Sequence, residues 1–151
     1  MNNMSKGVNR REFALGAVAT AALLPLGATA ASAKGNNYEA LLKARTNGAK
    51  LEEGKVKLKM PDLAENGNLV PFTATVEGDA ANVKAIYVFA PLNPGPEVGQ
   101  FYFTAAAGTA LVTGRMRMGK TQEIVAIAEM TDGKFYVAKK NVKVTVGGCG
   151  G

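Results

Sequence analysis

Apolar residues along the chain follow two periods, and the first of these indicates a single helix. Four residues keep the i, i+3, i+4, i+7 spacing of one helix face: Tyr38, Leu41, Leu42 and Arg45. Asn36 and Glu39 have the spacing of a capping box at its start, and Gly48 stands where a left-handed C-cap is expected. The pattern therefore predicts one short helix near the N-terminal end of the domain.

After Gly48 the apolar period falls to two, which is typical of β-strands. Seven segments between turn signals rich in Gly, Asn, Asp and Pro have this character: residues 56–60, 70–76, 83–89, 100–105, 110–118, 122–130 and 134–146. Short strands with regular turns predict an all-β fold, an antiparallel immunoglobulin-like β-sandwich over residues 34–146. The disulfide and tryptophan of antibody domains are absent, so this likeness is one of architecture alone.

The last predicted strand runs directly into a glycine-rich end. Its three alternate valines, Val142, Val144 and Val146, share one face of the strand. Cys149 follows and is flanked on both sides by glycines: Gly147, Gly148, Gly150 and Gly151. Because glycine lacks a Cβ and Gly-rich segments behave as flexible coils, residues 147–151 are predicted to form a flexible arm. Extended, two glycines and the cysteine hold the thiol roughly 10 Å beyond the sheet.

The N-terminal segment has the features of an export signal. Arg10 and Arg11, with Phe13 behind them, precede a weakly apolar stretch rich in Ala and Gly, which ends in a small-x-small cleavage site, Ala31-Ser32-Ala33. The arginine pair favours the twin-arginine route, so residues 1–33 are predicted to be removed and the mature protein to be periplasmic. An ordinary secretory signal remains an alternative. A membrane anchor is disfavoured because Gly, Pro and Thr interrupt the stretch.

Composition excludes several kinds of chemistry. The chain has no histidine and a single cysteine, so zinc, copper and iron–sulfur sites with the usual ligands are not expected, and neither is a Ser-His-Asp or Cys-His pair. No metal or other cofactor is predicted. The net charge of +6 is interspersed along the sequence, without a basic stripe for nucleic acid. Catalysis by carboxylates alone stays formally open, but their spacing suggests no acid–base pair.

A lone cysteine in an exported protein indicates either intermolecular pairing or a free reactive thiol. Four interpretations remain from the residues alone: a covalent carrier, a structural subunit cross-linked through Cys149, a thiol peroxidase-like enzyme, and an accidental cysteine in a loose tail. The enzyme is disfavoured, since a glycine tail offers the thiol no activating pocket. Arg115 and Arg117 share a strand face and are candidate anion or partner contacts, although two solvated charges explain them more simply.

Several segments together resemble one known family, that of SoxY, the carrier subunit of thiosulfate oxidation. The segments are the Val-Lys-Val-Thr-Val-Gly-Gly-Cys-Gly-Gly ending, the Pro61-Asp62-Leu63-Ala64-Glu65-Asn66-Gly67 stretch with Val70-Pro71 behind it, Asn93-Pro94-Gly95-Pro96, and the run from Arg115 through Thr121-Gln122 to Ala128-Glu129. The glycine-framed cysteine is the most specific of them, and the twin-arginine signal suits the family.

The resemblance implies a non-catalytic protein that carries sulfur intermediates covalently on Cys149, with the four flanking glycines giving reach and clearance. It further implies a heterodimer with a SoxZ-like subunit. The partner enzymes implied are a c-type cytochrome that joins thiosulfate to the thiol, a manganese-dependent thiosulfohydrolase that releases sulfate, and in some members a sulfane dehydrogenase. No membrane or nucleic-acid partner is implied.

Overall fold

The computed structural model describes residues 37–147, so the predicted signal at 1–33, the capping residue Asn36 and residues 148–151 lie outside the described residues. Within them are one helix and nine strands: α1 Tyr38–Thr46, β1 Leu51–Glu53, β2 Val56–Lys59, β3 Leu63–Asn66, β4 Val70–Val76, β5 Val83–Phe89, β6 Glu97–Tyr102, β7 Leu111–Met116, β8 Gln122–Met130 and β9 Phe135–Val146. Short 3₁₀ turns at Ala80–Asn82 and Ala105–Ala107 complete the described chain.

The strands form two sheets that pack face to face. The larger has the order β1-β9-β8-β5-β6, with β3 also paired to β9, and the smaller has the order β2-β4-β7. Apolar side chains from both sheets meet in one core, including Phe72 of β4, Ile86 and Val88 of β5, and Ile124 of β8. The predicted all-β fold with one short helix is confirmed, whereas the immunoglobulin-like sandwich topology stays a prediction.

β9 organises the larger sheet, because it is paired along both edges. One edge lies antiparallel to β8 from Phe135 opposite Glu129 to Val142 opposite Gln122. The other edge is divided between two short strands that both run parallel to it, β1 near its start and β3 near its end. The sheets are antiparallel as predicted, apart from these two parallel pairings with strands that the sequence pattern did not predict. A parallel neighbour needs no hairpin turn, so no local turn signal announced either strand.

The helix covers the outer face of the larger sheet. The ring of Tyr38 meets Phe89 edge-on at 5.7 Å between centroids, and the residues that pack against this second apolar cluster are Tyr38, Leu41, Leu42 and Leu51. Arg45 donates from Nε and Nη2 to the carboxylate of Glu97 on β6 at 3.0 and 3.2 Å. The predicted helix is confirmed, and its packing adds a third layer.

The ends of the helix match the prediction only in part. Gly48 has a φ of +72° and Asn47 before it has a φ of +51°, so the left-handed C-terminus is confirmed and involves one residue more than expected. At the start, Asn37 occupies the N-cap position and makes no hydrogen bond through its side chain. The N-cap is thus one residue later than the predicted capping box, whose Asn36 lies outside the described residues.

Several strand boundaries differ from the predictions. β6 begins at Glu97 and ends at Tyr102, because residues 105–107 turn into a 3₁₀ helix. β7 is shorter than predicted at both ends. Between the first two predicted strands the structure adds β3, which includes Glu65 and Asn66. Those two residue types disfavour strands, and it is pairing with β9 that holds them extended.

A polar contact lies within the outer apolar cluster. The hydroxyl of Tyr87 donates to Oε2 of Glu129 at 2.6 Å, and Lys84 donates to Oε1 of the same carboxylate at 2.6 Å. Burial, followed by the hydrogen bond to Glu129, raises the pKa of Tyr87 above the ordinary tyrosine value. The folded protein therefore holds this hydroxyl in its protonated form, in which it can donate.

Replacing this hydroxyl gives a test of the contact. In Tyr87→Phe we expect the free energy of unfolding to fall by about 1.5–3 kcal/mol, the contribution of a hydrogen bond to a charged partner. The raised pKa means that this contribution is complete below the unfolded tyrosine pKa of about 10 and declines as the pH rises further. Urea unfolding of both proteins across that range should therefore show their difference shrinking at alkaline pH. Tyr102→Phe, at a side chain 65% exposed, is the matched control and should change little.

Candidate functional site

The candidate site is the C-terminal end of β9, the point from which the cysteine segment leaves the domain. Val142 is fully buried and Val144 is half-buried, while Lys143 between them is exposed, as the alternation in sequence predicted. Val146 is 65% exposed because the strand has passed the rim of the core there. Gly147 is the last described residue, and Cys149, Gly148, Gly150 and Gly151 lie outside the described residues.

Neighbouring segments hold this end of the strand from both sides. On one side the backbone N–H of Lys143 donates to the carbonyl of Asp62 at 2.9 Å, and the Thr145 hydroxyl donates to the carbonyl of Glu65 at 2.9 Å. On the other side the N–H of Val144 donates to the Thr121 hydroxyl oxygen at 2.9 Å. That side chain takes over where the backbone ladder with β8 ends at Gln122. β9 is thus hydrogen-bonded almost to its last residue.

Gly67 connects the end of β9 to the loop between β7 and β8. Its N–H donates to the carbonyl of Val146 at 2.8 Å, and its own carbonyl accepts from the N–H of Met118 at 2.7 Å. Met118 is fully buried, so its position is fixed by the core as well. The turn after β3 therefore holds the strand end and the loop together.

The backbone of Gly147 lies directly against the backbone of Gly119 in that loop. A Cβ placed on Gly147 would overlap the Gly119 carbonyl oxygen and lie 3.3 Å from its carbonyl carbon. The atoms that such a Cβ would meet belong to the backbone, so no change of rotamer could relieve the overlap. Gly147, the first residue of the predicted arm, is therefore in close contact with the domain, and the flexibility of residues 147–151 stays a prediction.

The amide side chains of Gln122 and Asn93 hold the loop between β7 and β8 in place. Gln122 is only 3% exposed; its Nε2 donates to Oδ1 of Asn93 at 2.9 Å, and its Oε1 accepts from the N–H of Leu92 at 2.8 Å. Asn93 in turn donates from Nδ2 to the carbonyl of Arg117 at 2.7 Å and accepts from the N–H of Gly119 at 3.3 Å. These bonds connect the Pro-rich loop after β5 to the loop that contacts Gly147.

Neither amide was singled out as functional from the sequence. The available signal was a polar residue, Gln122, at the head of an apolar strand, together with an asparagine in a Pro-rich loop. A buried side-chain amide must find hydrogen-bond partners, which makes such a residue a candidate for joining segments.

Charged groups near the strand end are mainly solvated. Lys140 hydrogen-bonds to the Asp62 carboxylate, and this bond holds the pKa of that carboxyl below its usual range. Arg115 lies in β7 and Arg117 in the loop just beyond it, so the two do not share one strand as predicted. Both are exposed and alternate with the buried Met116 and Met118. Neither arginine takes part in an ion pair among residues 37–147. A role for them in anion or partner binding stays a prediction.

Between residues 37 and 147 no three His, Cys, Asp or Glu side chains come together in a way that could hold a metal ion. A cavity of about 590 Å³ lies between α1 and the larger sheet, among Tyr38, Leu42, Leu51 and Leu92. No helix in the described part of the chain is long and apolar enough to cross a membrane. The end of β9 therefore fixes the point at which the C-terminal segment leaves the domain.

Comparison with known proteins indicates the family to which the chain belongs. The chain matches the family model for the sulfur oxidation protein SoxY over residues 41–149, a range whose last position is Cys149. The solved structure of the sulfur carrier protein SoxY from Chlorobium limicola f thiosulfatophilum is 30% identical, with a TM-score of 0.62, and the match covers 73% of this chain and 97% of that one.

A second similarity concerns the fold alone. Superoxide reductase (neelaredoxin) from Ignicoccus hospitalis is 17% identical with a TM-score of 0.51, over 67% of this chain and 91% of that one. No curated protein sequence matched. The resemblance drawn from the sequence motifs is confirmed by a family model that extends from α1 to the terminal cysteine, and the chain belongs to the SoxY family of sulfur oxidation proteins.

Proposed function

We propose that the protein is a covalent sulfur carrier of thiosulfate oxidation, with Cys149 as the attachment site. The observation that carries this proposal is that the SoxY match reaches Cys149, the only thiol in the chain, immediately beyond a strand end held on both sides. The similar structure from Chlorobium limicola is that of a sulfur carrier protein. A firmly held strand and a terminal nucleophile are what a carrier requires, a body that partners recognise and a thiol that they modify.

The proposed cycle consumes an oxidant first and water second. The Cys149 thiol and thiosulfate lose one proton and two electrons as a sulfur–sulfur bond forms, and the electrons pass to a c-type cytochrome partner. A thiosulfohydrolase then cleaves the terminal bond with water, which gives sulfate and leaves a persulfide on Cys149. Where a sulfane dehydrogenase is present, it oxidises the outer sulfur to a sulfonate, with oxygen from three water molecules and six electrons passed to a c-type cytochrome. Hydrolysis by the thiosulfohydrolase then releases sulfate and restores the thiol. The partners supply this catalysis, and the carrier itself is not an enzyme.

The setting of this cycle is the periplasm. The twin-arginine pattern at Arg10 and Arg11 supports export of a folded protein, and residues 34–146 supply the domain that would be exported. We propose that a small SoxZ-like subunit pairs with that domain. The structural-subunit alternative, with Cys149 in an intermolecular disulfide, differs from this proposal in the chemical state of the thiol.

The state of Cys149 in the native protein tests the function. We expect the intact mass of protein purified from its native periplasm to include adducts of sulfur or thiosulfonate, all removed by a reductant. In the Cys149→Ser variant these adducts and thiosulfate-dependent turnover should both disappear, because an alkoxide cannot form the sulfur–sulfur bond. The melting temperature should stay unchanged, since the substituted residue follows β9. A reducible dimer without any adduct would instead favour the structural subunit.

Co-export tests the partner. A small second subunit without its own signal should appear in the periplasm only when this chain is co-expressed with its twin-arginine pair intact. The two should elute together at micromolar concentration and protect each other's amides from hydrogen exchange. Substitution of Arg10 and Arg11 by Lys should retain both proteins in the cytoplasm. Separate elution, with no shared protection, would show that the chain works without such a subunit.

The two outward arginines allow a test of the anion hypothesis. Since Arg115 and Arg117 are exposed and lack ion-pair partners among the described residues, we expect the double substitution to Gln to leave thiosulfate turnover and partner binding nearly unchanged. Turnover should be measured over a range of thiosulfate concentrations. A rise in the apparent KM for thiosulfate would give the two side chains a role in anion binding, and weaker subunit association would make them partner contacts.

A further inference from the structure

The glycine at position 147 is required for space and not for backbone conformation. Its φ is not among the positive values that favour glycine, whereas five other described glycines have such values. What excludes a side chain is the carbonyl of Gly119, which a Cβ on Gly147 would overlap. The relation is one-sided, because a Cβ on Gly119 would meet nothing within 4 Å. Residue 147 must therefore be glycine if the two backbones are to keep this contact.

The loop that carries Gly119 cannot easily withdraw from the contact. Each residue from Arg117 to Gly119 is bonded through its backbone: the carbonyl of Arg117 and the N–H of Gly119 to Asn93, and the N–H of Met118 to Gly67. Gly67 also holds the carbonyl of Val146, one residue before the contact. A side chain at position 147 would thus press against a segment that is fixed from two directions.

The contact shortens the free tether of the cysteine. We call the contact between Gly147 and the carbonyl of Gly119 the seat. If Gly147 keeps this contact, Gly148 alone separates it from Cys149, so the cysteine backbone lies within roughly 7 Å of the seat. Val146 beside the seat exposes 65% of its surface, which leaves the point of departure open to a partner. A partner enzyme would then have to approach the seat itself in order to reach the thiol.

We propose that Gly147 is a positioning residue, whose missing Cβ lets the end of β9 seat on the Gly119 loop and so fixes the place at which Cys149 is offered to partner enzymes. This inference rests on the proposed carrier function. It assigns the two glycines before Cys149 different tasks, with Gly147 setting the origin of the tether and Gly148 allowing it to bend.

Three alanine variants separate seating from flexibility. Gly147→Ala puts a methyl group into the seat, and Gly119→Ala adds a methyl group to the loop in open space. Gly148→Ala restricts the tether to the same degree at the next residue along the chain. We expect Gly147→Ala alone to accelerate hydrogen exchange at the N–H groups of Gly67 and Met118. Reconstituted thiosulfate turnover should fall by up to about 100-fold in that variant, since a misplacement of about 1 Å can cost that much. The other two variants should stay close to wild type.

The rate at which Cys149 reacts with a small thiol reagent is the second readout. A loss of thiol reactivity would change this rate together with turnover, whereas a loss of positioning changes turnover alone. We expect its rate to be equal in all four proteins, because a small molecule needs no docking. The inference is overturned if Gly147→Ala and Gly148→Ala lower turnover equally, or if Gly147→Ala leaves turnover intact. It is also overturned if Gly119→Ala is as harmful as Gly147→Ala.

Asn93→Ala supplies a second variant in case Gly147→Ala fails to fold. It removes the bonds to Arg117 and Gly119 while the glycine stays in place, so turnover should fall in the same direction with the reagent rate unchanged. Unaltered turnover in Asn93→Ala would count against the seat. Should native protein carry no sulfur adduct, the proposed function fails, whereas the exchange difference between Gly147→Ala and Gly119→Ala would still decide whether the seat exists.

Discussion

The double-sided pairing of β9 is the constraint on which the rest of the structure depends. This strand joins β8 on one edge and both β1 and β3 on the other, so segments from three parts of the sequence meet along twelve residues. The parallel pairing of β3 brings Gly67 beside Val146, and Gly67 in turn hydrogen-bonds to Met118 in the loop between β7 and β8. Without that strand, the end of β9 would be an exposed edge with unpaired backbone groups.

Polar side chains are used sparingly in this domain, and mainly to join segments. The Tyr87–Glu129 contact connects neighbouring strands under the helix layer, Arg45 connects α1 to β6, and Gln122 connects two loops. In the cycle proposed above, the domain supplies position, and the reactivity comes from partners that act on a single thiol.

Much of this architecture follows from local patterns in the sequence. Two of these patterns span only a few residues: the helical spacing of Tyr38 and Leu42, and the alternation of Val142 and Val144 in β9. The structure agrees with both. β1 and β3 escaped prediction because three or four residues rich in Glu and Asn become strands only against β9. The Gly147 contact escaped it for a related reason. A glycine that makes room for a backbone 28 positions away looks in the sequence like one that confers flexibility.

The geometry of β9 also determines how the domain bears a mechanical load. An enzyme that draws the terminal cysteine into its own cleft would pull along the axis of this strand, because β9 is the last element before the tether. The backbone hydrogen bonds to β8 and β3 lie across that direction, so they would be loaded in shear and would have to break together. A strand at the edge of a sheet, pulled from its end, could peel away one bond at a time. Placed between neighbours, β9 can transmit tension into the whole larger sheet while the fold stays intact.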